Sequence, residues 1–243
     1  MSDPIRLAIV AEGSTDRIVI EAIATALVPD RDFVVTQLQP LASDAIAPLG
    51  RGWTGVYQWC KQAIGQTGGT IHQDPLFDSH DLLLIHIDAD VAGATYENGN
   101  INEVVLDLPC EQPCPPCIAT TNALRNVLLR WIAAPEWPPR TIPCTPSKDT
   151  EAWVLAALYP DDDLVTGGNI ECQRGAVARL AGKPAKGKMV RSKGDYYQKR
   201  TDRYGDRKLD ITNAWNGARE RCTEADRFSV EFTAAVERLD EHQ

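Results

Sequence analysis

Two aspartates separated by one alanine, Asp88-Ala89-Asp90, close an apolar run made of Leu83, Leu84, Ile85, His86 and Ile87. Side chains two apart on an extended backbone lean to the same side, so the two carboxylates stand together. Like charges held that close are costly without a counter-ion, and a divalent cation that prefers carboxylate and water oxygens, Mg²⁺ above all, supplies one. A third carboxylate, Glu12, ends an earlier apolar run over residues 5–11 and is followed at once by Gly13. Gathered at one place, three such groups make a metal site. Metal-activated water beside a proton acceptor is what phosphodiester hydrolysis requires. A lysine near the leaving oxygen adds charge neutralisation, and Lys193, in Ser192-Lys193-Gly194-Asp195-Tyr196, is the candidate.

The elements that must position these groups follow from the pattern around them. Residues 5–11 read as a buried strand, and Ser14-Thr15-Asp16 opens a helix whose apolar residues recur at helical spacing until Pro29. A second strand is expected over 33–38, a loop over 40–54 and a helix over 56–64. The acidic strand comes next. After it lies an insertion rich in Asn, Gly, Pro and Cys, about 91–118. A helix starting at Thr120 or Thr121 runs to Ile132, a short strand covers 141–144, and Ser147 or Asp149 caps a helix through Leu158. Strand and helix alternate, so the expected class is α/β with a mostly parallel sheet flanked by helices. Right-handed crossovers then bring Glu12 to the same sheet edge as Asp88 and Asp90, the edge where open α/β folds hold ligands. His86, inside its strand, is read as a buried, hydrogen-bonded histidine. Beyond Pro160 the chain becomes polar, with a short helix at 176–180 and two amphipathic helices at 211–222 and 225–239. This gives an expected division into 1–160 and a mainly helical 161–243.

The formal charge of −9 is unevenly spread. Between 183 and 208 the cations Lys183, Lys186, Lys188, Arg191, Lys193, Lys199, Arg200, Arg203, Arg207 and Lys208 face only Asp195, Asp202 and Asp206. Tyr196, Tyr197 and Tyr204 are interleaved with them, a mixture suited to phosphates and to stacking on unpaired bases, hence to a nucleic-acid partner. The plain alternative is a solvated loop. The amino terminus has no basic region followed by an apolar stretch, and no run approaches bilayer length, so a cytoplasmic protein with no membrane contact is expected. The sequence does not specify an oligomeric state. Seven cysteines, an odd number in a reducing compartment, argue against a disulfide framework. Cys110, Cys114 and Cys117 invite a structural Zn²⁺ with Cys144 or a histidine as fourth ligand, the alternative being free thiols in a rigid loop.

The pieces Val10-Ala11-Glu12-Gly13-Ser14-Thr15-Asp16, then Ile87-Asp88-Ala89-Asp90, then Pro146-Ser147-Lys148-Asp149-Thr150-Glu151-Ala152-Trp153, resemble the TOPRIM superfamily. That family includes topoisomerases, primases and the overcoming-lysogenization-defect nucleases. The likeness is nearest to its stand-alone bacterial defence members, whose carboxy-terminal helix Glu224-Ala225-Asp226-Arg227-Phe228 is similar to. The resemblance implies a Rossmann-like TOPRIM domain over 1–160. In it Glu12 works as general acid or base, Asp88 and Asp90 bind Mg²⁺ or Mn²⁺, and Glu151 completes or supports the metal site. Read alone, Glu151 is equally a first-turn carboxylate favoured by its helix dipole. The implied activity is metal-dependent cleavage or nicking of DNA or RNA in anti-phage defence, beside an ATPase or another defence protein. The alternative is a catalytically silent TOPRIM-derived binding or sensor module working with a partner. A receiver or haloacid-dehalogenase-type phosphatase ranks below both, since those put their acidic pair after the first strand.

Overall fold

Strand β1 (Ile5–Val10) sends Ile5, Leu7 and Ile9 into one apolar layer and Ala8 and Val10 into another, which is what a strand buried on both faces must do. The computed structural model describes residues 3–40, 49–99, 101 and 108–241. Helix α1 (Ser14–Leu27) returns the chain to β2 (Phe33–Gln39), which pairs in parallel with β1. Helix α2 (Gly52–Thr67) and the short α3 (Leu76–Ser79) lead to β3 (Leu82–His86), parallel to β1 on its other side. Helix α4 (Ile118–Trp131) and β4 (Thr141–Cys144) follow, and β4 lies parallel to β3. The four-stranded sheet has the order β2-β1-β3-β4, all parallel, a Rossmann-like arrangement.

Two layers of helices cover it. On one face α2 and α4 bury Val56, Tyr57, Cys60, Leu124, Leu128 and Trp131 against Ala8, Val10, Leu83 and Ile85. On the other lie α1 and α5 (Thr150–Leu158). The same layer is completed from the carboxy-terminal region: α9 (Lys208–Arg219) packs on α1 and α5, and α10 (Thr223–Glu241) on α1 and β4. One apolar cluster therefore holds residues from both sides of position 160, with Trp153 set against Trp215 and stacked on Phe228. Among the smaller elements, α6 (Asp163–Thr166) and α7 (Ala176–Ala181) precede an antiparallel hairpin, β5 (Val190–Lys193) and β6 (Tyr196–Lys199), and α8 (Thr201–Asp206) follows it.

That hairpin lies inside the basic segment and was not expected from the sequence. Its two-residue connection, Gly194-Asp195, has Gly194 at φ 60°, the left-handed conformation a tight hairpin turn needs. No described helix is long and apolar enough to cross a membrane. Of the expected insertion 91–118, residues 100 and 102–107 lie outside the described residues.

Candidate metal centre

Register brings the carboxylates together. Val10 pairs with Ile85, so the residues that leave β1 and β3 exit side by side at the carboxyl edge of the sheet. Glu12 Oε1 accepts a hydrogen bond from the Asp88 backbone N–H at 2.7 Å. The loop entering α2 closes over the same glutamate: Gly52 N–H donates to the Glu12 carbonyl at 3.0 Å, and Gly52 sits at φ 67°, where a side chain would be strained. Burial, then the charges of Asp88 and Asp90, push the Glu12 carboxyl well above the usual range. Asp90 stands more open to solvent, yet desolvation and Asp88 raise it to about 6.

On the inner side of Asp88 lies a buried group of three, Asp16, His86 and Asp88, whose ligand atoms all fall within 4.8 Å of one another and can hold a metal ion. Asp16 comes from the first turn of α1, His86 from the last residue of β3. His86 Nε2 is 3.2 Å from Asp88 Oδ1 and 2.9 Å from Thr150 Oγ1. Thr150 also gives its backbone N–H (3.1 Å) and its hydroxyl (3.2 Å) to Asp88 Oδ1, so the first turn of α5 points directly at this carboxylate. Burial by itself would lower the His86 pKa, but contact with Asp88 outweighs it and lifts it to about 9. Burial would raise Asp88, and His86, Lys199 and Thr150 together hold it below its ordinary value. Two buried atoms of the group, Asp16 Oδ1 and His86 Nδ1, make no hydrogen bond.

A second ring of contacts is organised by Glu151, fully buried in α5. Its Oε1 accepts the Tyr204 hydroxyl at 2.7 Å, and its Oε2 lies 2.7 Å from Lys199 Nζ, which is 3.7 Å from Asp16 Oδ1. Burial raises the Glu151 pKa against the opposing pull of Lys199. Asp149 caps α5, accepting the Ala152 N–H at 2.9 Å, and burial followed by Glu151 raises it to about 8.

Of the residues expected from the sequence, Glu12, Asp88 and Asp90 are thus neighbours, with Glu151 one contact further in through Lys199 and Thr150. Lys193 is not among them: it lies in exposed β5, near the tip of the hairpin, and the lysine that reaches the carboxylates is Lys199 at the base of the same hairpin. The expected Zn²⁺ set is not assembled either. Cys114 is joined to Cys172 in a disulfide, which also corrects the expectation of no disulfide; Cys110 is exposed, and Cys144 is buried at the end of β4. Sequence reasoning did not single out Asp16, Lys199 or Tyr204 as site residues; it read His86 as a buried, hydrogen-bonded histidine, which it is, but not as a member of a metal-binding group. The one available signal was that Asp16 sits four residues after Glu12, on the turn of helix that faces the same edge.

Fold and site together define an α/β protein with a doubly covered parallel sheet and a buried Asp-His-Asp group able to hold a metal ion at its carboxyl edge. No family model, no curated protein and no solved structure matches the chain.

Proposed function

We propose that this chain is a TOPRIM-type nuclease that cleaves phosphodiester bonds of nucleic acid with Mg²⁺ or Mn²⁺, and that the likeness of its motifs to defence-associated members extends to a role against phage beside an ATPase partner. The observation that carries the reading is the meeting of Glu12 with Asp88, where a β1 carboxylate accepts the backbone N–H of the first Asp-x-Asp residue. The donor set fits a cation. Asp16 Oδ1 and His86 Nδ1 are buried without hydrogen bonds beside Asp88. Carboxylates suit Mg²⁺ and Mn²⁺, and the imidazole inclines the set toward the latter.

Asp16, His86 and Asp88 would hold the ion, with Asp90 and Glu12 beside them. Once bound, it would activate a water and neutralise charge on the scissile phosphate. The chain's own residues do the rest. Glu12, its carboxyl raised by burial and by two aspartates, stands where it can take up and return a proton. His86 and Thr150 fix the orientation of Asp88 from within. Lys199 brings the positive charge first sought at Lys193.

The hairpin supplies the grip. Arg191, Lys193, Tyr196 and Tyr197 are all exposed, the two tyrosines by 61% and 47%, and their cations have no ion-pair partner among the described residues. The hairpin that displays them ends in Lys199 at the acidic site, so a strand of nucleic acid stacked along it is led toward the carboxylates.

The test is incubation of the purified chain with plasmid, single-stranded DNA and RNA in Mg²⁺, Mn²⁺ or EDTA, beside Asp88→Asn and Glu12→Gln. Cleavage that needs the ion and is lost in both variants is expected; cleavage unchanged in Asp88→Asn, or absent from the native chain under every condition while binding persists, defeats the nuclease reading.

A further inference from the structure

Residues 110–113, on the way into α4, are exposed and belong to no helix or strand, yet they are fastened beside the acidic edge. The Pro109 carbonyl accepts the N–H of Gly93, in the turn after Asp90, at 2.9 Å. The Gln112 N–H donates to Thr120 Oγ1 at 2.9 Å, and Cys114 is joined to Cys172. Between these points Glu111 reaches two cations: its Oε1 meets Lys148 Nζ, and its Oε2 accepts from Arg174 Nη2 at 2.8 Å. Both cations border the carboxylates. The Lys148 carbonyl accepts the Asp90 N–H at 3.2 Å, and Arg174 is near enough for its charge to act on Asp90.

The three side chains differ in what they can give up. Lys148 is only 7% exposed, so its ammonium requires a counter-charge, whereas Glu111 and Arg174 are 39% and 68% exposed. An ion pair that open to water holds weakly against a competing anion. A phosphodiester, like a carboxylate, is a monoanion with two equivalent terminal oxygens, so one ammonium and one guanidinium fit either. We propose that Lys148 and Arg174 form a phosphate subsite beside Asp90 for the nucleic-acid strand, and that Glu111 fills it as an internal competitor until the strand arrives. The ligand's identity rests on the nuclease reading; the subsite itself rests on the three side chains. Exchange makes and breaks no covalent bond: the phosphodiester takes both cations and Glu111 turns into water. Because Cys114 keeps the segment tethered, Glu111 competes at high local concentration. Small phosphates are therefore held off, while a strand already gripped by the hairpin displaces the carboxylate.

The test leaves metal and cleavage out. The full chain in EDTA is titrated with inorganic pyrophosphate by calorimetry and with a fluorescent single-stranded DNA by anisotropy. Glu111→Gln should tighten both by about tenfold at low salt, the size of one charge-assisted contact. It should also steepen the salt dependence of DNA binding by about 0.7 for each cation released. Glu136→Gln removes the same charge from an exposed position ahead of β4, away from the carboxyl edge, and should leave both nearly unchanged. Arg174→Ala should matter little in the native chain and abolish the gain in Glu111→Gln, and Lys148→Met should abolish it likewise. Absence of any gain, an equal gain in Glu136→Gln, or an equal effect of Arg174→Ala in both backgrounds overturns the subsite. A gain for pyrophosphate that follows this pattern, with no DNA bound by any variant, supports the subsite and puts the failure in the nuclease reading.

Discussion

The acidic sheet edge and the β5–β6 hairpin are opposites joined at one residue. At the edge every functional side chain is held from several directions: Asp88 by His86, by Thr150 and by its own backbone link to Glu12, and Glu151 by Tyr204 and Lys199. In the hairpin, residues 191–198 are all exposed and rest on one another through a short two-stranded ladder. The edge has charge without freedom, and the hairpin has freedom with little packing. Chemistry that depends on a few tenths of an ångström belongs in the first, and recognition of a long, variable, charged partner belongs in the second. Lys199 belongs to both, as the last residue of β6 and as the partner of Glu151.

The largest expected effect lies at the edge. Asp88→Asn should lower metal-dependent cleavage by about a thousandfold or more, equivalent to ~4 kcal/mol of barrier, while a salt titration of nucleic-acid binding stays as in the native chain. Equal loss of binding and cleavage would erase the distinction between the two regions.

Lys199→Met breaks the joint. It leaves Glu151 buried with a charge and no cation, and we expect a loss of about 2–3 kcal/mol in urea unfolding at neutral pH; a fully buried pair would lose more, but the Lys199 side chain is 31% exposed. The pH dependence has a definite sign. Glu151 already has its folded pKa raised by burial, and removing Lys199 raises it further, so the protonated form is the one the fold tolerates. The deficit should therefore vanish below the folded value of the native chain, where the carboxyl is protonated with or without Lys199, and grow as the pH rises through the variant's higher folded value. A deficit independent of pH would show that Lys199 acts through packing alone.

Smaller again are changes in the hairpin. Tyr196→Ala and Tyr197→Ala should each weaken single-strand binding by about 1–3 kcal/mol, and Arg191→Ala with Lys193→Ala should flatten the salt dependence by about 0.7 to 0.9 per cation. Fluorescence anisotropy reads both. Unfolding stability should move by no more than about 0.5 kcal/mol, the mark of an exposed element.

The smallest effect serves as a reference away from both regions. Asp162 caps α6 and meets Lys183 Nζ at 2.6 Å; burial would raise its pKa, but Lys183 holds it below the ordinary value. Its charge thus stabilises the fold above the unfolded pKa of about 4 and ceases to do so as the pH drops through the folded value. Asp162→Asn should cost about 1 kcal/mol at neutral pH and remove that portion of the acid sensitivity, read from unfolding midpoints across the acid range.

What was legible in the sequence, and what was not, follows the same contrast. Strands β1, β3 and β4 announce themselves because a strand buried on both faces has no polar alternation to confuse it, and β4 was placed at its observed bounds. Glu12 and Asp88 were legible because they stand where apolar runs stop. Asp16 was not, because an acidic residue in a first helical turn ordinarily serves the dipole from the surface; here it is 2% exposed, and no local pattern encodes that. His86 was legible as a buried, hydrogen-bonded histidine, but its partners were not, because one imidazole in an apolar run has no spacing to betray them. Strands β5 and β6 were hidden in a run of cations: four residues each and exposed, they carry no apolar alternation, and only Gly194-Asp195 marks the turn. Choosing Lys193 over Lys199 followed from missing that turn, since the hairpin sends one lysine outward and returns the other to the sheet. The cysteine pairing was out of reach because Cys114 and Cys172 are 58 residues apart and meet only through tertiary packing.

The strand order carries one more consequence. With β2 and β4 at the flanks, the strands that end in Glu12 and Asp88 are the two central ones, paired on both sides and roofed on both faces. Backbone amides there exchange with solvent only when the whole molecule opens, whereas the hairpin's can exchange through local fraying. The carboxylates are therefore anchored to the last part of the molecule to come apart, and their mutual geometry is as durable as the fold itself.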